Sequence, residues 1–127
     1  MAEERMRPAV LVADDDAMVR VFMVRCLERL GYVVVDVPSG EAALQAYQQG
    51  SFSFVVLDVS MPGMGGIAAG DALRALSPAV PVLYMSGVDE RARLGARLLV
   101  SNTAFLEKPC TVDALRDAID GILRGAG

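Results

Sequence analysis

Five short apolar runs, each followed by a stretch with helical spacing, leave this 127-residue chain few ways to fold. The runs are AVLVA (9–13), YVVVDV (32–37), FSFVVLD (52–58), PVLYMS (81–86) and AFLE (104–107). They are rich in β-branched residues and too short for helices, so they predict strands. Over 17–30, Val19, Phe22, Met23, Cys26, Leu27 and Leu30 recur at helical spacing and stop at Gly31, with Val21 and Val24 on the outer side. Ser39 caps a second helix in PSGEAALQAYQQG. A third covers 65–76, weakened by Gly66 and Gly70, and a fourth covers 89–99. The fifth opens at a Thr111 cap and aligns Val112, Leu115, Ile119 and Ile122 on one face. Right-handed crossovers turn such a (βα)5 chain into an α/β, doubly wound parallel sheet of order 2-1-3-4-5, with helices on both faces. With no linker, repeat or low-complexity tract, a single domain over 1–127 is expected, its core about 8–124 and its tails short.

Composition narrows the function. Hydrophobic residues make up 54% of the chain, which suits a sheet covered on both sides. No apolar run approaches the ~18 residues that span a bilayer. The start, MAEERMRPAVLV, lacks the order of a secretory signal, so a cytoplasmic setting without membrane contact is expected. A net charge of −4 and no Lys/Arg cluster argue against a nucleic-acid surface. Cys26 and Cys110 lie far apart without ligand spacing and are expected as free thiols. The chain has no histidine, which excludes imidazole metal sites, Ser/His or Cys/His catalysis and any phospho-histidine made within it.

In a doubly wound sheet, ligands bind beyond the carboxyl ends of the strands. Strand 1 ends there in Asp14-Asp15-Asp16, strand 3 in Asp58, strand 4 in Ser86-Gly87 and strand 5 in Glu107-Lys108-Pro109. Strands 1 and 3 are neighbours, so their acids converge. Gathered carboxylates repel unless a cation joins them, and oxygen donors alone suit a hard ion such as Mg2+. Lys108 and the Ser86 hydroxyl then complete a pocket for a dianionic group. Asp58 can serve as metal ligand and as nucleophile toward phosphorus, with Mg2+ and Lys108 offsetting the charge on the transferred phosphoryl group.

LVADDDAMVR, VVLDVSMPGMGG, VLYMSG and FLEKP stand in order at these strand ends. Together they resemble the receiver domains of two-component response regulators, most closely those of hybrid sensor kinases or single-domain receivers. The resemblance spans nearly the whole chain and implies the flavodoxin-like version of the fold. It implies Asp58 as phospho-acceptor, Asp14 and Asp15 as Mg2+ ligands together with the main-chain carbonyl of Ser60, and Mn2+ as a substitute ion. It implies Ser86 as the switch hydroxyl, Phe105 as the switch aromatic, Lys108 as the phosphate-binding lysine, and a cis peptide between Lys108 and Pro109. The implied partners are a histidine kinase or histidine phosphotransfer protein and a downstream protein target. A homodimer through the fourth helix, strand 5 and fifth helix, or through helix 1, is also implied, and helix 1 is where such kinases dock. The only covalent chemistry implied is the domain's own phosphotransfer and slow autodephosphorylation. Gly65, Gly70, Ser60 and the hydroxyl-free Phe105 depart from the commonest pattern.

Two other functions compete. LVADDDAMV also resembles haloacid-dehalogenase-like phosphatases, with Asp14 as nucleophile and Asp16 as general acid. That assignment leaves Asp58 idle and puts Met18 where Thr or Val is preferred. An interaction module of receiver shape that is never phosphorylated is the other. Simpler roles are expected at several positions: Asp16 as the N-cap of helix 1, Met61 and Met64 as turn packing, and Asp113 and Asp117 as the polar face of helix 5.

Overall fold

Parallel pairing sets five strands in the order β2–β1–β3–β4–β5, as the alternation predicts. The strands are β1 (Ala9–Ala13), β2 (Val33–Val37), β3 (Phe54–Asp58), β4 (Val82–Ser86) and β5 (Thr103–Glu107). The computed structural model describes residues 7–87 and 90–126. Asp89, expected in the fourth helix, and the tail residues 1–6 and 127 lie outside the described residues.

Period-two alternation in the central strands feeds two cores, one on each face of the sheet. Val55 and Leu57 of β3 face α2 (Gly40–Gln48) and α3 (Gly65–Leu76), which contribute Ala43, Ala69 and Leu73. Phe54 and Val56 face α1 (Ala17–Arg29) and the last helix, α4 (Val112–Ala126), which bring Met23, Leu27, Leu115 and Ile119. All of these side chains are buried, and each large one stabilises the fold by about 1.5–3 kcal/mol.

The caps fall where the sequence predicts. Asp16 accepts from the N–H groups of Met18 and Val19 at the start of α1, Ser39 from that of Ala42 and Thr111 from that of Ala114. Gly31 ends α1 with φ +101°, a conformation that costs glycine little. Both cysteines are free thiols. Among the described residues, no helix is long and apolar enough to cross a membrane.

Three expectations need correction. The fourth helix is instead a 3-10 segment, η1 (Arg91–Leu99), interrupted by Gly95 at φ 53°, ψ −130°. Only Leu94 of η1 is buried, too little apolar anchorage to hold a regular α-helix. Phe22, expected on the inner face of α1, is 47% exposed, because Met23, Cys26 and Leu27 take the centre of that face. Val24, expected on the outer side, is half-buried.

Candidate functional site

The sheet register itself delivers the acids to one place. Ala13 of β1 pairs with Leu57 of β3, so the residues that follow, Asp14 and Asp58, leave adjacent strands at the same level. One carboxylate oxygen from each of Asp14, Asp15 and Asp58 lies within 4.8 Å of the others. Asp14 and Asp58 are buried, whereas Asp15 faces solvent. Lys108 Nζ lies 2.8 Å from Asp14 Oδ2 and 3.2 Å from Asp58 Oδ1, placing one cation against two buried anions. The Lys108–Pro109 peptide is cis, and Lys108 N–H donates to the Ser86 carbonyl at 2.7 Å.

These contacts set the electrostatics. Burial and the charge of Asp14 push the Asp58 carboxyl up to about 6, against Lys108 and the Ser60 N–H, which favour its ionised form. Burial works against the Lys108 ammonium, but its hydrogen bond to Asp14 and the charges of both acids raise its pKa overall. An all-oxygen cluster in which burial and a neighbouring anion oppose ionisation fits a hard divalent cation, which relieves both. Asp14, Asp15 and Asp58 are the side chains that could hold it.

The remaining assignments divide. Ser86 is fully buried at the end of β4, while Ser60 is exposed, with its N–H 3.3 Å from Asp58 Oδ1. Phe105 is partly buried on β5, packed against the core that includes Tyr84 and Leu94. Asp16 spends its carboxylate on the cap of α1 and is exposed, which leaves the alternative with Asp16 as general acid without geometric support.

Three contributors escaped the sequence. Arg20, which reads as a solvated charge, donates from Nη1 to the Asp14 carbonyl at 2.8 Å and from Nε to Asp36 at 3.0 Å, holding the β1–α1 turn. A Cβ on Gly66 would run into the carbonyl oxygen of Asp58, so glycine is what lets α3 start directly against the end of β3. Glu90 accepts hydrogen bonds from the hydroxyls of both Ser60 and Ser86. The paired glycines of MPGMGG hinted at the second of these; nothing local marks the other two.

A five-stranded parallel sheet with an acid cluster and an opposing lysine at its carboxyl edge puts a charged site where doubly wound folds bind their ligands. The family model for the response regulator receiver domain matches residues 10–120. The chain therefore belongs to the receiver domains of two-component systems. It is 30% identical over 112 residues to the autoinducer 1 sensor kinase/phosphatase LuxN of Vibrio campbellii, covering 88% of this chain and 13% of that protein. It is 33% identical over 123 residues to the transcriptional regulatory protein PrrA of Mycobacterium tuberculosis, covering 94% of this chain and 52% of the relative. The chain thus spans about half of one curated relative and a small part of the other. Among solved structures, a response regulator receiver protein from Sinorhizobium medicae superposes with a TM-score of 0.84 at 28% identity, over 97% of this chain and 99% of that one.

Proposed function

We propose that the domain accepts a phosphoryl group on Asp58 from a phospho-histidine carried by a histidine kinase or histidine phosphotransfer protein. The observation that carries this is the gathering of Asp14, Asp15 and Asp58 within 4.8 Å beneath Lys108. An Asp58 oxygen attacks phosphorus while the P–N bond breaks, and its electron pair returns to the donor's imidazole ring. Mg2+, or Mn2+ in its place, held by these three carboxylates and the Ser60 carbonyl, would supply positive charge to the phosphoryl oxygens. Lys108 offsets charge on the same group without needing to move far, since it already touches Asp58. The domain acts on no other substrate; it catalyses only its own phosphorylation and the slow return of phosphate to water.

The response starts from Ser86, whose hydroxyl turns to the new phosphoryl oxygens. Phe105 repacks, and the face built from η1, β5 and α4 changes shape, presenting a downstream protein with a different surface. The donor's approach is supported by an apolar groove of about 480 Å³ between α1 and the Lys108–Cys110 turn. Met18, Phe22 and Pro109 line it beside Lys108, and Met18 is 84% exposed. An apolar opening next to the reactive lysine suits docking of the donor's helices.

Labelling by acetyl phosphate tests the assignment. Asp58→Asn is expected to reduce Mg2+-dependent labelling to background, and a chelator is expected to do the same to the wild-type protein. Undiminished labelling of the variant overturns Asp58 as acceptor. Labelling absent under all conditions would favour an interaction module that is never phosphorylated.

A further inference from the structure

Glu90 lies between β4 and η1, and its two carboxylate oxygens are shared across the mouth of the acidic pocket. One accepts from the Ser86 hydroxyl and the other from the Ser60 hydroxyl, with Arg93 Nη1 2.9 Å from the latter oxygen. Ser60 follows Asp58 by two residues and Ser86 ends the adjacent strand, so this carboxylate spans the β4 side of the acceptor. The next residue, Arg91, sits with its guanidinium 5.9 Å from the centre of the Phe105 ring. Two consecutive residues thus engage both side chains assigned to the switch.

A serine hydroxyl has a single proton to donate. While Ser86 gives it to Glu90, it cannot give it to an anion on Asp58. A carboxylate fixed at that hydroxyl also repels a phosphoryl group arriving beside it. Phe105 has no hydroxyl, so it cannot meet Ser86 by a hydrogen bond of its own; Glu90 touches Ser86 and Arg91, the next residue, touches Phe105.

We infer that Glu90 and Arg91 form a clasp that holds the unphosphorylated arrangement. Glu90 is a positioning residue that withholds the Ser86 hydroxyl, and its release by an anion on Asp58 loosens Arg91 from Phe105. This rests on the assignment of Asp58 as acceptor. An acid at this point therefore weakens the phosphorylated state, and its removal favours that state.

The test is beryllofluoride affinity in the presence of Mg2+, measured on the full chain by NMR titration, with Phe105 ring resonances followed in parallel. Glu90→Ala is expected to bind roughly tenfold more tightly, the scale of one hydrogen bond to a charged group. Its Phe105 signals, without beryllofluoride, are expected to move toward the bound wild-type positions, which a merely structural contact would not produce. Glu90→Gln keeps the shape but not the charge, and is expected to shift both readouts in the same direction by less. Unchanged or weaker affinity in both Glu90 variants, while the wild type binds and Asp58→Asn does not, overturns the clasp and leaves the acceptor assignment standing. Binding that survives Asp58→Asn overturns the acceptor, and the clasp with it.

Discussion

The two sides of the strand-end mouth are built differently. On the β1–β3 side, Asp14 and Asp58 emerge from strands whose ends are buried, Lys108 bridges them, and Arg20 fastens the Asp14 carbonyl. On the β4–β5 side, Ser86 is buried, but its partner Glu90 belongs to a connection leading into a 3-10 segment with one buried side chain and an interruption at Gly95. The first side is held by the core itself, the second by a few polar contacts and a ring–cation contact. The phosphoryl-accepting role proposed above, which would fix a metal and a nucleophile yet report their reaction, gains from this division. The chemistry needs preorganised oxygens, and the response needs an element that can change packing at small cost.

That contrast can be broken from its rigid side first. Gly66→Ala drives a methyl group into the Asp58 carbonyl, and because backbone opposes it, the helix or the strand must shift. A loss of about 2–4 kcal/mol is expected in urea unfolding, together with weakened Mg2+ binding. A variant within about 0.5 kcal/mol of wild type would mean that the β1–β3 side is as pliable as the other.

A subtler probe is the charge stored there. With a chelator present, the folded protein holds the Asp58 proton up to about pH 6, whereas the unfolded chain releases it near 3.8. The stability this confers is complete below the unfolded value and is lost as pH rises through the folded one, an effect of up to about 3 kcal/mol. Asp58→Asn does not titrate, so its stability relative to wild type should rise between pH 4 and pH 7. A difference constant over that range would contradict the buried, anion-facing setting of Asp58.

The mildest change belongs to the pliable side. Arg97 pairs with Asp71 through two hydrogen bonds of 2.8 and 2.6 Å, tying η1 to α3, but both side chains are substantially exposed. Arg97→Ala should cost below about 1 kcal/mol and leave Mg2+ binding alone. A larger effect on thermal unfolding would show that η1 is anchored more firmly than its single buried leucine suggests.

Much of this was legible in the residues. Short, continuously apolar runs and capped helical segments dictated a doubly wound sheet, because a strand buried on both faces and a helix with one apolar stripe have few ways to satisfy each other. Acids, hydroxyl and lysine at the strand ends followed from that topology, since parallel strands bring their carboxyl ends to one edge. What stayed hidden depends on distance rather than on pattern. Glu90 is an unmarked acid in the expected fourth helix until the fold sets it against Ser60 and Ser86, and Arg20 reads as a surface charge until it meets the Asp14 carbonyl. Phe22 left the core, and 91–99 formed no regular α-helix, because the room on each face of the sheet goes to whichever side chains pack best there. The sequence by itself determined the five strands, four of the helices and the edge at which acids and lysine gather, through local spacing and hydrophobic burial. Only the tertiary structure decided which charges meet, because those contacts join residues that nothing local connects.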